Sequence, residues 1–97
     1  MTPDQVCAKW AELGVSLRID IKRHEAESPG QKDETFVLAE GERKTLRFLG
    51  ELLLAQADSE TDCHFFIHPS GPGSALFSPR STLGVSIHRL PCPDGPL

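Results

Sequence analysis

The most constraining feature of the chain is a strict alternation of apolar and polar residues over residues 15–22. Apolar side chains at every second position share one face of an extended strand. Here they are Val15, Leu17, Ile19 and Ile21. The run therefore predicts a half-buried strand, the clearest strand in the sequence.

The segment before this strand carries the signals of a helix start. Thr2 can cap the helix, Pro3 suits the first helical position, and Gln5 can reach back to the cap. Gly14 suits the residue that follows the last turn, so the helix is predicted to run to about Leu13. Its apolar stripe would dock on the rest of the protein and consists of Val6, Trp10 and Leu13.

Strand and helix patterns then continue along the chain. A polar connection over 23–34 leads into a short strand at 35–39, with Phe36 and Leu38 inward and Val37 outward. A second helix is predicted from about residue 40 to residue 57. We expect its core face to consist of Leu46, Leu49, Gly50, Leu53 and Ala57. The first helix would cover a second stripe, made of Phe48, Leu52 and Ala55.

Two further alternating segments, 63–68 and 83–88, predict a third and a fourth strand around a turn-rich connection at 69–74. The order α-β-β-α-β-β indicates an α+β fold. We expect a two-layer α/β sandwich in which both helices cover one face of a four-stranded, largely antiparallel sheet. Residues 1–90 would form this single domain, and residues 91–97 a flexible tail.

Composition narrows the classes of partner. The net charge is −4, and the ten basic residues are scattered, which argues against nucleic-acid binding. A mildly acidic protein suits a partner with a basic surface. The alternative is that the negative charge only keeps the protein soluble. No apolar run exceeds four residues, so we expect no insertion into a membrane.

The cysteines Cys7, Cys63 and Cys92 are odd in number and far apart. They form no C-x-x-C pair, and the N-terminus lacks an export signal, so the sequence predicts a reduced cytoplasmic protein without a disulfide framework. In this interpretation Cys7 and Cys63 are core residues and Cys92 is a thiol of the tail.

The histidines are the only candidates for a metal site. His64 and His68 on one strand would lie about 13 Å apart, too far to share an ion, whereas His64 and His88 could meet across two strands. No thiol or carboxylate obviously completes the ligand set, and Cys63 should face away from His64 because strand neighbours point to opposite faces. We therefore expect no metal, no cofactor and no catalytic activity.

Two surfaces are candidates for binding a protein. Three acidic residues gather at or beyond the C-terminus of the second helix, where the helix dipole prefers cations: Asp58, Glu60 and Asp62. They could instead form an ordinary acidic loop. The outward sheet face would present Val37, His64, Phe66, His68, Ser86 and His88, with Arg18 and Asp20. Phe66 would anchor a partner there or simply pack over Gly84.

About half of the chain, residues 36–87, resembles a small immunity-protein family of bacterial polymorphic toxin systems. Three segments carry the resemblance: TLRFLGELL (45–53), HFFIH (64–68) and LFSPRSTLGVSI (76–87). In the family a strand, a Leu-rich helix, a His-bearing strand and a Ser-containing approach to a last strand follow in this order. The resemblance implies a cytosolic antidote that occludes a cognate toxin delivered by neighbouring cells.

The sequence therefore predicts a non-enzymatic immunity or inhibitor protein that binds a toxin by electrostatic and aromatic contacts. The alternative is a small adaptor or secretion chaperone that dimerises and carries an effector protein. We expect a monomer or a homodimer, and light scattering would separate the two hypotheses, because a chaperone of this size should be a stable dimer with an exposed apolar groove.

Overall fold

A computed structural model of the protein describes residues 1–94 and confirms the α+β class. Of the predicted flexible tail, residues 95–97 lie outside the described part. None of the described helices is long and apolar enough to cross a bilayer. The elements are α1 (Pro3–Glu12), β1 (Arg18–His24), β2 (Glu34–Glu40), α2 (Arg43–Ala57), β3 (His64–Ile67), a 3-10 helix (Ser74–Leu76) and β4 (Val85–His88).

Helix α1 begins as the sequence predicts. The Gln5 backbone N–H donates to the Thr2 hydroxyl over 3.2 Å, and the Thr2 backbone N–H donates to Gln5 Oε1 over 2.9 Å, a complete capping box. Val6 and Trp10 are buried, which confirms the docked face. Leu13 is about half exposed, because it caps the helix beyond the last packed turn.

The predicted four-stranded sheet is wrong, and so is the sandwich built on it. Two separate antiparallel pairs form, β1 with β2 and β3 with β4. The second edge of β1 is occupied by an irregular segment instead of a strand. The Leu17 N–H donates to the Leu76 carbonyl over 2.9 Å, and the Ser78 N–H donates to the Leu17 carbonyl over 2.8 Å. Pro79 follows and has no N–H with which to extend a ladder.

The side chain of Ser81 also contacts this edge of β1. Its hydroxyl accepts the Ile19 N–H over 2.9 Å and lies 3.2 Å from the Ile19 carbonyl, to which it can donate. A side chain thus satisfies backbone groups of β1 that a neighbouring strand would otherwise pair. The segment between the 3-10 helix and β4 therefore separates the two sheets.

The core lies between α1, α2, the start of β1 and the β3–β4 pair. It consists of Val6, Trp10, Val15, Leu17, Ile19, Phe48, Leu52, Ile67, Leu76 and Phe77. On α2, Phe48 and Leu52 are fully buried, while Leu46 and Leu53 are about half exposed. The predicted core face of this helix is therefore wrong. The other stripe, which contains Phe48 and Leu52 and was expected to lie under α1, is the one that packs in the core. Both stripes have helical spacing, and burial of the large Phe48 ring removes more apolar area from water.

The outer half of the β1–β2 hairpin extends beyond this core. The radius of gyration is 15.5 Å, against about 12.5 Å for a compact chain of this length, and the extents are 49 × 34 × 22 Å. Ile19 is buried, but farther along the hairpin Ile21 is 58% exposed, Phe36 50% and Val37 74%. Neither the inward placement of Phe36 nor the half-burial of Ile21 is correct, because no layer formed by residues 1–94 covers this part of the hairpin.

Candidate functional site

The β3–β4 pair brings four of the sequence-predicted site residues onto one face. His64 lies opposite His88, and Phe66 lies opposite Ser86. Directly opposed residues point to the same face of a sheet, and the intervening residues point to the other. The inner face carries Phe65, Ile67, Val85 and Ile87, which pack on the core.

The two histidines form a stacked pair. Their ring centroids lie 4.2 Å apart, with only 9° between the ring planes. Both side chains are half-buried. The Nε2 atom of His88 is itself buried and has no hydrogen-bond partner within residues 1–94. A buried polar nitrogen without a partner is costly, so this atom is poised to accept a ligand or a proton donor.

Two cysteines flank the histidine pair. Cys63 directly precedes β3, and Cys92 follows His88 by four residues. They form a disulfide with their Cα atoms 5.6 Å apart, so the expectation of a chain without disulfides, with Cys92 as a tail thiol, is wrong. The Arg89 N–H donates to the Cys63 carbonyl over 2.8 Å, which keeps the two segments side by side beyond the ladder. Cys7 is the free cysteine of the described chain.

Cys63, His64, His88 and Cys92 form one cluster, in which a ligand atom of each residue lies within 4.8 Å of the others. Cys92 Sγ lies 3.4 Å from His64 Nε2. Asp94 Oδ2 lies 3.7 Å from Cys63 Sγ. The expectation that Cys63 faces away from His64 is wrong, because β3 begins at His64 and the alternation rule applies only within a strand. Two cysteine sulfur atoms, joined as a disulfide in this structure, therefore lie beside the two histidines, where the sequence predicted no such ligand.

The acidic residues lie where the sequence places them, past the end of α2. Asp58 is the C-cap of the helix, whose last turn carries no basic residue, and Glu60 and Asp62 are exposed. Asp62 also has a local role, since its Oδ1 accepts the backbone N–H of His64 over 3.1 Å. Asp58 and Glu60 form no ion pair within the part of the chain that the structure describes, and Asp62 stabilises the start of β3.

Phe66 is 57% exposed beside the exposed Ser86. Together with His68 and Gly84 they line an open depression beside the β3–β4 pair. His68 lies beyond the end of β3, where its Nδ1 accepts the Ser70 N–H over 3.0 Å and stabilises the turn. The Phe66 side chain is therefore accessible to a partner, as an anchor residue would have to be.

Three residues expected on the same face are elsewhere. Val37 belongs to the other sheet, on the same face of the hairpin as Ile21. Arg18 and Asp20 are also in β1 and form a 3.0 Å ion pair. They cannot share a continuous surface with His64 and Phe66 in the way a four-stranded sheet would allow.

The outer hairpin is a second candidate site that the sequence did not reveal. Ile21 lies opposite Val37 on one face, and Phe36 points to the other. We call these three residues the hairpin surface. Within the described chain β2 pairs only with β1, so its outer edge presents unpaired backbone groups. Apolar side chains and an open strand edge thus occur together.

The chain matches no family model, no curated protein and no solved structure. The resemblance to immunity proteins therefore stays a prediction from the sequence.

Proposed function

We propose that the protein is a non-enzymatic inhibitor of the immunity type, which binds a protein toxin in the cytoplasm and occludes it. The observation that carries this proposal is the hairpin surface, with three large apolar side chains at least half exposed on strands that leave the core. Burial of apolar area favours association, and the part that exceeds the entropic cost of binding appears as affinity. A two-stranded ribbon is also marginal by itself, so a partner that packs on both of its faces would stabilise it.

The open edge of β2 gives this contact a defined geometry. A strand of the partner can add to the edge, so that main-chain hydrogen bonds supply affinity and the hairpin side chains supply specificity. Glu34, exposed at the start of β2, favours a basic residue on the partner strand, whereas Glu40 at the other end already forms a 3.4 Å ion pair with Arg18.

The acidic residues and the outer face of β3–β4 would act in the same complex. Asp58, Glu60 and Asp62 add to a net charge of −4 and would accelerate association with a basic toxin surface. Phe66 would supply an aromatic contact in the depression beside Ser86. The remaining residues proposed to face the partner are His64, His68 and His88.

Co-expression tests this function. The chain is expressed together with the polypeptide encoded by the adjacent reading frame, and growth of the host is measured. The wild-type chain should rescue growth from a toxic neighbour, and the pair should co-purify. The double variant Ile21→Lys/Val37→Lys should lose both, because two charges then occupy the apolar face of the hairpin.

Leu53→Lys is the matched control, since Leu53 is similarly exposed but lies on α2. It should rescue growth like the wild type. If the wild-type chain neither binds nor rescues, the immunity function is wrong. If the hairpin variant rescues fully, the hairpin surface is not the interface.

One observation favours the second candidate function, a dimeric adaptor for an effector protein. The outer face of α2 exposes Leu46, Leu53 and Leu54, and a Cβ added at Gly50 would meet nothing within 4 Å. Such a stripe can pack against its own copy around a two-fold axis. Light scattering distinguishes the two functions: an adaptor should be a stable dimer that Leu53→Lys dissociates and that Val37→Lys leaves intact.

A further inference from the structure

We propose that the reduced protein binds one Zn²⁺ ion through Cys63, His64, His88 and Cys92. Two thiolates and two imidazoles are a ligand set that zinc takes in structural sites. The four residues lie at the end of the β3–β4 ladder. His64 and His88 are also proposed to face the partner, but metal binding is tested on the chain alone, so the two proposals can fail separately.

The four ligand atoms lie close enough together to converge on one ion once the Cys63–Cys92 disulfide is reduced. With Zn–S bonds near 2.3 Å and Zn–N bonds near 2.0 to 2.1 Å, neighbouring ligand atoms should be about 3.3 to 3.8 Å apart. The four ligand atoms of the cluster already lie within 4.8 Å of one another. Reduction must first release the two sulfur atoms from each other, and rotation of the side chains would then separate these atoms and the stacked imidazoles of His64 and His88.

The surroundings also favour a cation. His88 Nε2 is buried without a hydrogen-bond partner in the described chain, and coordination would satisfy it. The Asp94 carboxylate, 3.7 Å from Cys63 Sγ, adds negative charge beside the ion. Half-burial of both histidines limits competition from water at the ligand atoms.

Zinc binding and the disulfide exclude each other. A thiol reductant supplies two electrons and two protons to the Cys63–Cys92 bond, giving two protein thiols while two reductant thiols become a disulfide. The ion then binds the two thiolates and displaces both protons to solvent. In a reducing compartment such as the cytoplasm, the thiol form that accepts zinc is the expected one.

Cobalt provides the spectroscopic test. Co²⁺ is titrated into the full chain, reduced with a thiol-free phosphine and then freed of it, under argon. We expect one equivalent to produce a thiolate-to-cobalt charge-transfer band and the intense visible bands of a tetrahedral site, and Zn²⁺ to bleach both. The oxidised protein, with the same sequence and its disulfide intact, should show neither.

Substitutions assign the ligands. Cys92→Ser should abolish the charge-transfer contribution of that thiolate, and His88→Asn should weaken Co²⁺ binding by at least about tenfold. Cys7→Ser should leave the spectrum unchanged and is the matched cysteine control. A reduced protein without a thiolate band, equal binding by the oxidised protein, or an unchanged spectrum in Cys92→Ser would each overturn the proposal.

Discussion

The indole nitrogen of Trp10 donates a 2.7 Å hydrogen bond to the carboxylate of Glu51 and thereby joins α1 to α2. Lys9 Nζ approaches the same carboxylate at 3.2 Å. The hydrogen bond from Trp10, followed by that from Lys9, lowers the pKa of Glu51 below its usual range. Trp10 also belongs to the core, so this polar contact fixes the register in which the two helices pack.

Glu51→Gln should lower the melting temperature at neutral pH, because the ionised carboxylate is the form that α1 stabilises. The folded pKa lies below the ordinary 4.5, so this stabilisation is present above that value and is lost as the pH falls through the folded pKa. Thermal unfolding should therefore show a difference between wild type and variant at neutral pH that shrinks in acid.

Two controls isolate the contact between the helices. Glu60→Gln removes an exposed charge beyond α2 and should not reproduce the effect. In the Trp10→Phe background the substitution of Glu51 should cost less, as a double-mutant cycle would measure. A Glu51→Gln penalty that is unchanged between neutral and acid pH would contradict the assignment.

The two apolar faces of α2 should differ strongly in their contribution to stability. Phe48→Ala removes a fully buried ring and should lower the free energy of unfolding by about 3 to 5 kcal/mol. Leu53→Ala should cost at most about 1 kcal/mol, since that side chain is about half exposed. Urea unfolding of both variants measures the difference, and equal penalties would show that the stripe with Leu53 is covered in the monomer.

A matched pair of glycine substitutions should act in opposite directions. A Cβ at Gly84 would collide with the Ile67 carbonyl and lie 2.9 Å from Cδ2 of His68, so Gly84→Ala should destabilise by about 1 to 3 kcal/mol. Gly50→Ala, inside α2 with open space around it, should stabilise by about 0.5 to 1 kcal/mol. Denaturant midpoints test both, and a stabilised Gly84→Ala would mean that β3 and β4 are not in close contact at this point.

Cys7 should be a slow nucleophile in the folded protein. Burial, together with the charge of Asp4, raises the pKa of the Cys7 thiol to about 11, from an ordinary 9.0. Two units of pKa reduce the thiolate fraction at pH 8 about 100-fold, so iodoacetamide should label Cys7 far more slowly in the folded chain than in urea.

The same labelling reports on the other cysteines. Before reduction the protein should carry one reactive thiol, and Cys7→Ser should carry none, because Cys63 and Cys92 form the disulfide. Rapid labelling of Cys7 at equal rates in the folded and unfolded protein would contradict its burial against the core.

Local signals predicted the individual elements well. The capping box at Thr2 and Gln5 located the start of α1, and the alternation around Leu17 and Ile19 located β1, because both signals depend only on neighbouring residues. The faces of α2 could not be assigned in this way. Phe48 and Leu53 belong to stripes with the same period, and only the tertiary position of α1 decides which one is buried.

The arrangement of the sheets and the cysteine–histidine cluster both depend on contacts between residues that are far apart in the sequence. Pairing of β1 with the segment after the 3-10 helix replaces a continuous sheet, and Ser81 gives no periodic signal of that role. The disulfide joins residues 29 positions apart in the sequence. Two spacings could have indicated the cluster: Cys63 is adjacent to His64, and Cys92 follows His88 by four residues, at the matched ends of two predicted strands.

Binding affinity tests the central claim, that the hairpin surface holds a protein partner, most directly. Calorimetric titration of the polypeptide encoded by the adjacent reading frame into the wild-type chain, Ile21→Lys/Val37→Lys and Leu53→Lys gives three dissociation constants. We predict tight binding by the wild type and by Leu53→Lys, and a loss of at least about 100-fold in the hairpin variant, as expected for central apolar contacts. Equal affinity of the hairpin variant and the wild type, with unchanged thermal stability, would contradict the account.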